Sequence, residues 1–297
     1  MTLYNITTDE EMEIYAMLLV KELDEEEKAV LDKLWNIFVK RTEDTERKFK
    51  PVLIKLFGRQ ERSVLKRMSG KAPPDTSDAA KMLIEKAVSD EAAAAAETYV
   101  DDIFTLAAWQ VPFRTVARPF VTEAFKDAGQ AAFVEIGLEG SFNVTNPVAR
   151  EILKTRVFKF AKEVNETTQA RLRTTLAQGF DKGEDIRKLS ARVAGVFDIA
   201  KGSRTDTIAR TEVVGASNQG THQGYIDSKI VVTEIWIDSR DALVRTSPHN
   251  HRLDGEEVKL GKRFSNGLLH PHDPGGAAGN VINCRCTTGA GKLKEAA

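Results

Sequence analysis

The chain is 297 residues long and carries 43 Lys and Arg against 44 Asp and Glu, a formal charge of −1 with His neutral. That balance excludes a generally basic nucleic-acid coat, and 41% hydrophobic with 29% charged residues excludes a disordered chain. Two cysteines, Cys284 and Cys286, are too few for the disulfide framework of a secreted domain, so a reducing compartment is expected.

The amino terminus lacks the basic start, apolar run and small-residue cleavage site of a signal peptide, so no export is expected. No window approaches the ~20 apolar residues of a membrane helix, and no membrane partner is expected. Charge is unevenly spread: residues 9–28 hold nine acidic side chains and two Lys, whereas 29–69 hold eleven basic and five acidic ones. Between 26 and 68, Val30, Leu31, Leu34, Ile37, Phe38, Val52, Leu53, Leu56, Phe57, Val64 and Leu65 recur at spacings of three and four. This predicts a long amphipathic helix or helix pair, with Pro51 at a break or in a first turn. Its basic residues read either as a solvated face or as a contact for DNA or another acidic partner. Arg47, Lys48, Lys50, Lys55, Arg59, Arg62, Lys66 and Arg67 are dense enough to keep the second reading open.

Residues 71–77, with Pro73 and Pro74 among small and polar neighbours, mark a linker and a boundary near 75. Helical patterns follow over 78–101 and 104–136, with Leu106, Ala107, Val111, Val116, Phe120 and Phe125 expected inside and Pro112 and Pro119 as interruptions. Asn146-Pro147 reads as a cap and first turn. Helices are expected over 147–164, 167–180, 184–197 and 204–228, so that roughly 60% of the chain is helical, against a base rate near one third. At 229 the pattern changes. Residues 229–238 alternate, with Val231, Thr233, Ile235 and Ile237 on one side and Val232, Glu234 and Trp236 on the other, which predicts a strand. Turn signals at Asp254-Gly255, Asn266-Gly267, 273–276 and Gly279-Asn280 then divide short apolar pieces, with Phe264 and Leu268-Leu269 as apolar cover.

The expected fold is mainly α with a small C-terminal α+β module: an extended N-terminal helical arm, then a helical domain, then a loop-rich β domain. The expected segments are an arm at 1–75, a helical segment at 76–145, a domain at 146–290 (helices 146–228, β module 229–290) and a tail at 291–297.

All five histidines and both cysteines follow residue 221. On an extended strand the side chains of Cys284 and Cys286 share a face, so both sulfurs could meet one ion. Zn²⁺ accepts thiolate and imidazole in tetrahedral sets, and His249 or His251 with His270 or His272 would complete a structural zinc site. A polar loop with satisfied hydrogen bonds is the competing reading, because the spacing is not that of a standard finger. A disulfide between residues two apart is geometrically poor, and a nucleophilic cysteine lacks a recognisable relay. In the helix at 204–228, Arg210 and Glu212 point to different parts of the surface, each suited to clamping the module that follows. An enzyme reading would make Glu212 a general base or metal ligand. Asp238, Arg240, Arg245, Asp254 and Gly255 are expected in polar turns.

The order Ile208-Ala-Arg-Thr-Glu212, Trp236-Ile-Asp-Ser-Arg240, His251-Arg-Leu-Asp-Gly255, Phe264-Ser-Asn-Gly267, Pro271-His-Asp-Pro274 and Val281-Ile-Asn-Cys-Arg-Cys286 resembles the F-like head morphogenesis family named after phage Mu, the minor capsid proteins of tailed phages. The resemblance covers about 150–290. It departs where the family places a His ahead of the Leu-Asp-Gly turn: here that position is Asn250, flanked by His249 and His251. The first 75 residues resemble, more vaguely, the helical tail beyond the portal domain in proteins that fuse portal and module, which implies portal docking.

The resemblance implies a non-enzymatic head morphogenesis protein of a tailed phage or prophage, made in the host cytoplasm and housed in few copies inside the virion head. It implies action in procapsid assembly and DNA packaging or ejection, with portal, capsid or scaffold proteins as partners and DNA as a further candidate. Arg210, Thr211, Glu212, Asp238, Arg240, Asp254, Gly255, Asn283 and Arg285 then become motif residues, with no catalytic residue assigned. Because this module type is also found attached to toxins, the alternative is a metal-dependent hydrolase, nuclease or toxin-like effector.

Overall fold

A computed structural model describes residues 24–70 and 89–294; the acidic start and the linker at 71–77 lie outside the described residues. Six long helices are followed by a small antiparallel sheet: α1 Glu25–Ser69, α2 Asp90–Ile103, α3 Leu106–Glu135, α4 Pro147–Asp181, α5 Ile186–Lys201 and α6 Ser203–Ser228, then β1 Thr233–Ile237, β2 Glu257–Lys259, the short α7 Ala278–Val281 and β3 Thr287–Ala290. Among the described residues no helix is long and apolar enough to cross a membrane.

The chain divides into two compact units. One takes residues up to 46, 120–151 and 210 onward; the other takes 47–119 and 152–209. Among its described residues the second has helices and no strand. Its core joins Phe49, Leu53, Leu56 and Phe57 to Phe113 and Phe160, with ring centroids of Phe57 and Phe113 5.4 Å apart and those of Tyr99 and Phe180 5.6 Å apart. This apolar stripe explains why α1 runs through Pro51 without a break. A proline inside a helix loses one backbone hydrogen bond and costs ~3 kcal/mol, which burial of two or three large side chains offsets. The break expected between 164 and 167 is likewise absent, because α4 is one helix of 35 residues. Asn165, within the gap expected there, is fully buried; its Nδ2 donates to the Ala161 carbonyl at 2.6 Å and its Oδ1 accepts from Gln60 at 2.7 Å.

Helix α3 carries Pro112 and Pro119 in its interior, and its buried face differs from the expected one. Phe113, Ala117, Val121, Ala124, Phe125, Ala128 and Ala132 are buried, whereas Val111 is 56% exposed. The true stripe is set by alanines at helical spacing, which large-residue counting overlooks. Asn146 caps α4, its Oδ1 accepting the Ala149 amide at 2.7 Å.

The first unit is organised around α6, in which every residue from Val213 to Tyr225 except Gln219 is buried. Small residues let it approach α3: Ser217 Oγ donates to the Ala124 carbonyl at 3.5 Å, and Gly220 and Gly224 face the backbone of Phe125 and Gly129. The sheet has the order β2-β1-β3, both pairings antiparallel, with Glu234 opposite Val258 on one side and Ala290 on the other. Trp236, Leu253, Phe264, Leu268, Cys284 and Cys286 form its apolar cluster, and Leu269 is half-buried. The Asn266-Gly267 signal is a turn with Gly267 at φ +80°, but Gly279-Asn280 lies in α7 instead. On β1 Glu234 and Trp236 are buried on one side and Ile237 on the other. Glu234 is 1% exposed and is held by His222 Nδ1 and Thr288 Oγ1, both at 2.7 Å.

Candidate metal centre

Helix α6 grips the segment before β3 at three levels. Near its first unit-one turn, Arg210 Nη1 donates to Asn283 Oδ1 at 3.1 Å, and Thr211 Oγ1 accepts the Asn283 amide at 3.0 Å. These contacts hold Asn283 at φ +60°, the bend that turns the chain into Cys284. Two turns on, Asn218 Nδ2 donates to the Cys286 carbonyl and its Oδ1 accepts the Thr287 hydroxyl, both at 2.9 Å. One turn further lies the His222–Glu234–Thr288 network. Arg210 Nε also stands 3.6 Å from the buried Glu46 carboxylate, and Glu212 is half-buried on the same turn.

The second frame is the turn after β1. Arg240 Nε donates to Asp254 Oδ2 at 2.7 Å, its amide donates to Asp238 Oδ1 at 2.6 Å, and Asp254 Oδ1 accepts the Asp238 amide at 3.2 Å. Gly255 at φ +85° returns the chain, its amide donating to the Trp236 carbonyl at 2.9 Å. Arg240 pairs with Asp32 and Arg285 with Asp241, while the Arg285 carbonyl accepts from Trp35 Nε1 at 3.3 Å.

Burial pushes the Asp238 carboxyl up to about 6; Asp254 adds to the shift, and the Arg240 amide and the Arg240 and Arg252 charges oppose it. A carboxyl raised above its unfolded value contributes stability below that value and loses it as pH rises through the folded one, so ionised Asp238 works against the fold at neutral pH. Asp238→Asn keeps an oxygen for the Arg240 amide. After discounting for solvent screening, the variant is expected to gain about 1–2 kcal/mol at pH near 8 and nothing near pH 4, read by chemical denaturation at both. An equal difference at the two pH values would contradict this.

Between these frames His251 Nδ1, Cys284 Sγ and Cys286 Sγ converge, all within 4.8 Å of one another. His251 Nδ1 is 3.2 Å from Cys284 Sγ and 3.8 Å from Cys286 Sγ, and the Cys286 amide donates to Cys284 Sγ at 3.4 Å. Exposures of 2%, 5% and 2% for His251, Cys284 and Cys286 seal the trio. His251 Nε2 lies 2.6 Å from Asn280 Oδ1, and Asn280 Nδ2 in turn donates to the Asn266 carbonyl at 3.4 Å. The oxygen accepts only, so Nε2 carries the proton and Nδ1 turns its lone pair to the sulfurs.

Burial raises the Cys284 thiol, but hydrogen bonds from Cys286 and His251 and the nearness of His272 outweigh it and hold it well below the usual thiol range. Its neighbour Cys286 is pushed well above by that same bond to Cys284 and by burial. Two sulfurs this close share one negative charge, and the bond to Cys284 outweighs burial to raise the His251 imidazole. Thiolate and imidazole in a buried cluster are the donor set of zinc and other borderline-soft cations.

The four candidate histidines separate. His251 joins the cysteines. His272, at φ +61°, is 2% exposed and donates from Nε2 to the Cys284 carbonyl at 2.9 Å, its ring against the Cys284 side chain. His270 turns away, Nδ1 donating to the Pro271 carbonyl at 2.9 Å and its ring 5.1 Å from that of His222. His249 is half-buried beside Gly279. Sequence reasoning missed Asn218, His222, Glu234 and Asn280. The only signal was buried-polar spacing along α6, four residues from Asn218 to His222, and the inward parity of Glu234 with Trp236.

Among the candidate basic contacts on α1, Lys50 pairs with Asp206 at 3.0 Å and Arg67 reaches the Asp102 carbonyl and Thr105 at 3.4 and 3.3 Å. Lys55, Arg59, Arg62 and Lys66 are exposed, as are Arg47 and Lys48.

The residues that build these two frames and the cysteine trio lie in the stretch that matches a family model: residues 170–289 match that of phage Mu protein F like proteins. The chain carries a phage Mu F-like domain. The Mu F-like match begins inside α4 and ends in β3, taking in α5, α6 and the whole cysteine and histidine cluster. A similar curated protein is the uncharacterized protein YqbB of Bacillus subtilis (strain 168), 20% identical over 239 residues, which cover 79% of this chain and 74% of that protein. No solved structure matches.

Proposed function

We propose that this protein is a minor capsid component of a tailed phage or prophage that acts in procapsid assembly beside the portal, and so in DNA packaging or ejection. The observation that carries this reading is the Mu F-like match across 170–289. The architecture supports it: the matched module is tied together by α6 and by paired charges, as suits a piece that docks on portal, capsid or scaffold proteins. Lys55, Arg59, Arg62 and Lys66 on α1 are the side chains through which the arm would meet an acidic partner surface or DNA.

The hydrolase or nuclease alternative needs a reacting centre open to substrate, and the clustered donors are at most 5% exposed. The buried cluster supports a structural role for the module instead. A nonsense mutation in the gene, complemented in trans, tests the reading. The expected result is a drop of at least tenfold in infectious particles with an accumulation of defective heads. Normal yield and infectivity without the protein, or metal-dependent turnover of nucleic acid by the purified chain, would overturn it.

A further inference from the structure

Independently of that reading, the side chains around Cys284 define a binding site of their own. Three donors point inward, and each is fixed from behind. His251 has Nε2 pinned to Asn280 and Nδ1 aimed at the sulfurs; Cys286 is fixed through its carbonyl by Asn218; Cys284 follows the Asn283 bend that Arg210 and Thr211 hold. Locking the far nitrogen of a histidine to an oxygen acceptor is how proteins orient an imidazole toward a metal.

His272 repeats the same device. Its Nε2 must donate, because its partner is the Cys284 carbonyl, so Nδ1 carries a free lone pair. That Nδ1 is buried without a hydrogen-bond partner, in a side chain only 2% exposed. A buried acceptor left unmatched destabilises a fold, which tolerates it where another group satisfies the atom. His251 and His272, both beside the cysteine pair, thus each have Nε2 locked to an oxygen and Nδ1 left as the ligand atom.

We propose that His251, Cys284, Cys286 and His272 bind one divalent cation of the zinc class in a closed, structural site. The trio is preassembled and His272 Nδ1 supplies the fourth donor. Binding requires both cysteines as thiolates and so displaces the proton that the sulfur pair retains, which means that uptake releases a proton. The ion would join the turn carrying His251, the loop carrying His272 and the segment entering β3, three pieces of a module whose sheet has strands of only three to five residues.

The test uses the full chain purified under reducing conditions. Elemental analysis should find one zinc per chain. Cobalt(II) exchanged into the protein should show thiolate-to-cobalt charge transfer in the near ultraviolet and the intense visible bands of a tetrahedral centre. Cys284→Ser with Cys286→Ser should abolish both signals, and His272→Ala should weaken zinc at least tenfold in competition with a chromophoric chelator. Wild-type protein that takes up no metal after dialysis against zinc, or a cobalt spectrum without thiolate bands, overturns the site without relying on any variant. Unchanged affinity in His272→Ala overturns the assignment of the fourth donor.

Discussion

Gly220→Ala is expected to unfold or nearly unfold the first unit. A Cβ at Gly220 would sit 2.1 Å from the Phe125 carbonyl oxygen and 2.9 and 3.0 Å from its carbon and Cα. All three are backbone atoms of α3, so no rotamer change relieves the overlap and the two helices must separate. Ordinary overpacking costs about 1–3 kcal/mol; a forced shift of a helix pair along a face that also carries Gly224 against Gly129 and Ala132 belongs at about 4 kcal/mol or above. Thermal denaturation should show a fall in Tm on the order of 10 °C. Gly195, exposed in the interior of α5 with nothing within 4 Å of its added Cβ, is the control. There Gly195→Ala should raise stability by about 0.5–1 kcal/mol through helix propensity. Equal effects at the two positions would mean that α3 and α6 do not pack as described.

Asn218→Ala is expected to cost about 3 kcal/mol and to loosen the cysteine segment specifically. The side chain is completely buried and serves the Cys286 carbonyl and the Thr287 hydroxyl at once. Its removal strands one acceptor and one donor in a dry site, each worth about 1–3 kcal/mol, and leaves a small cavity. Two readouts separate the local effect from general weakening. Urea denaturation gives the loss of stability, and labelling by a thiol reagent in native, metal-free protein should be at least tenfold faster in the variant. Unchanged labelling would mean that Asn218 does not position Cys286.

Much of the architecture was legible in the sequence because it rests on local signals. The Asn146 cap, the strand around Ile235 and the turn at Asn266-Gly267 follow from capping, alternation and glycine chemistry that need no distant partner. Three elements were misread, and each was decided by tertiary packing. Pro51, Pro112 and Pro119 stayed within helices, and Asn165, in the gap expected between two helices, is a buried helical residue bonded to Gln60, 105 positions away. Of the α3 face only Phe125 was read correctly as fully buried, because alanines, not large apolar residues, line most of it.

The candidate site divides in the same way. Clustering of every histidine and cysteine after residue 221 was visible, and so was the shared face of Cys284 and Cys286. Which histidine stands beside them was not, because that depends on Asn280 and on the left-handed backbone at His272. Asn218 escaped notice because its partners are a carbonyl and a hydroxyl, which leave no pattern in sequence.

The central claim, that this chain is a built-in component of a phage head, is met most directly by quantitative mass spectrometry of gradient-purified heads from the phage or induced prophage. The account predicts the intact chain in the particles at a constant ratio to portal protein, well below the major capsid protein. Heads of full infectivity from which the chain is missing would contradict it.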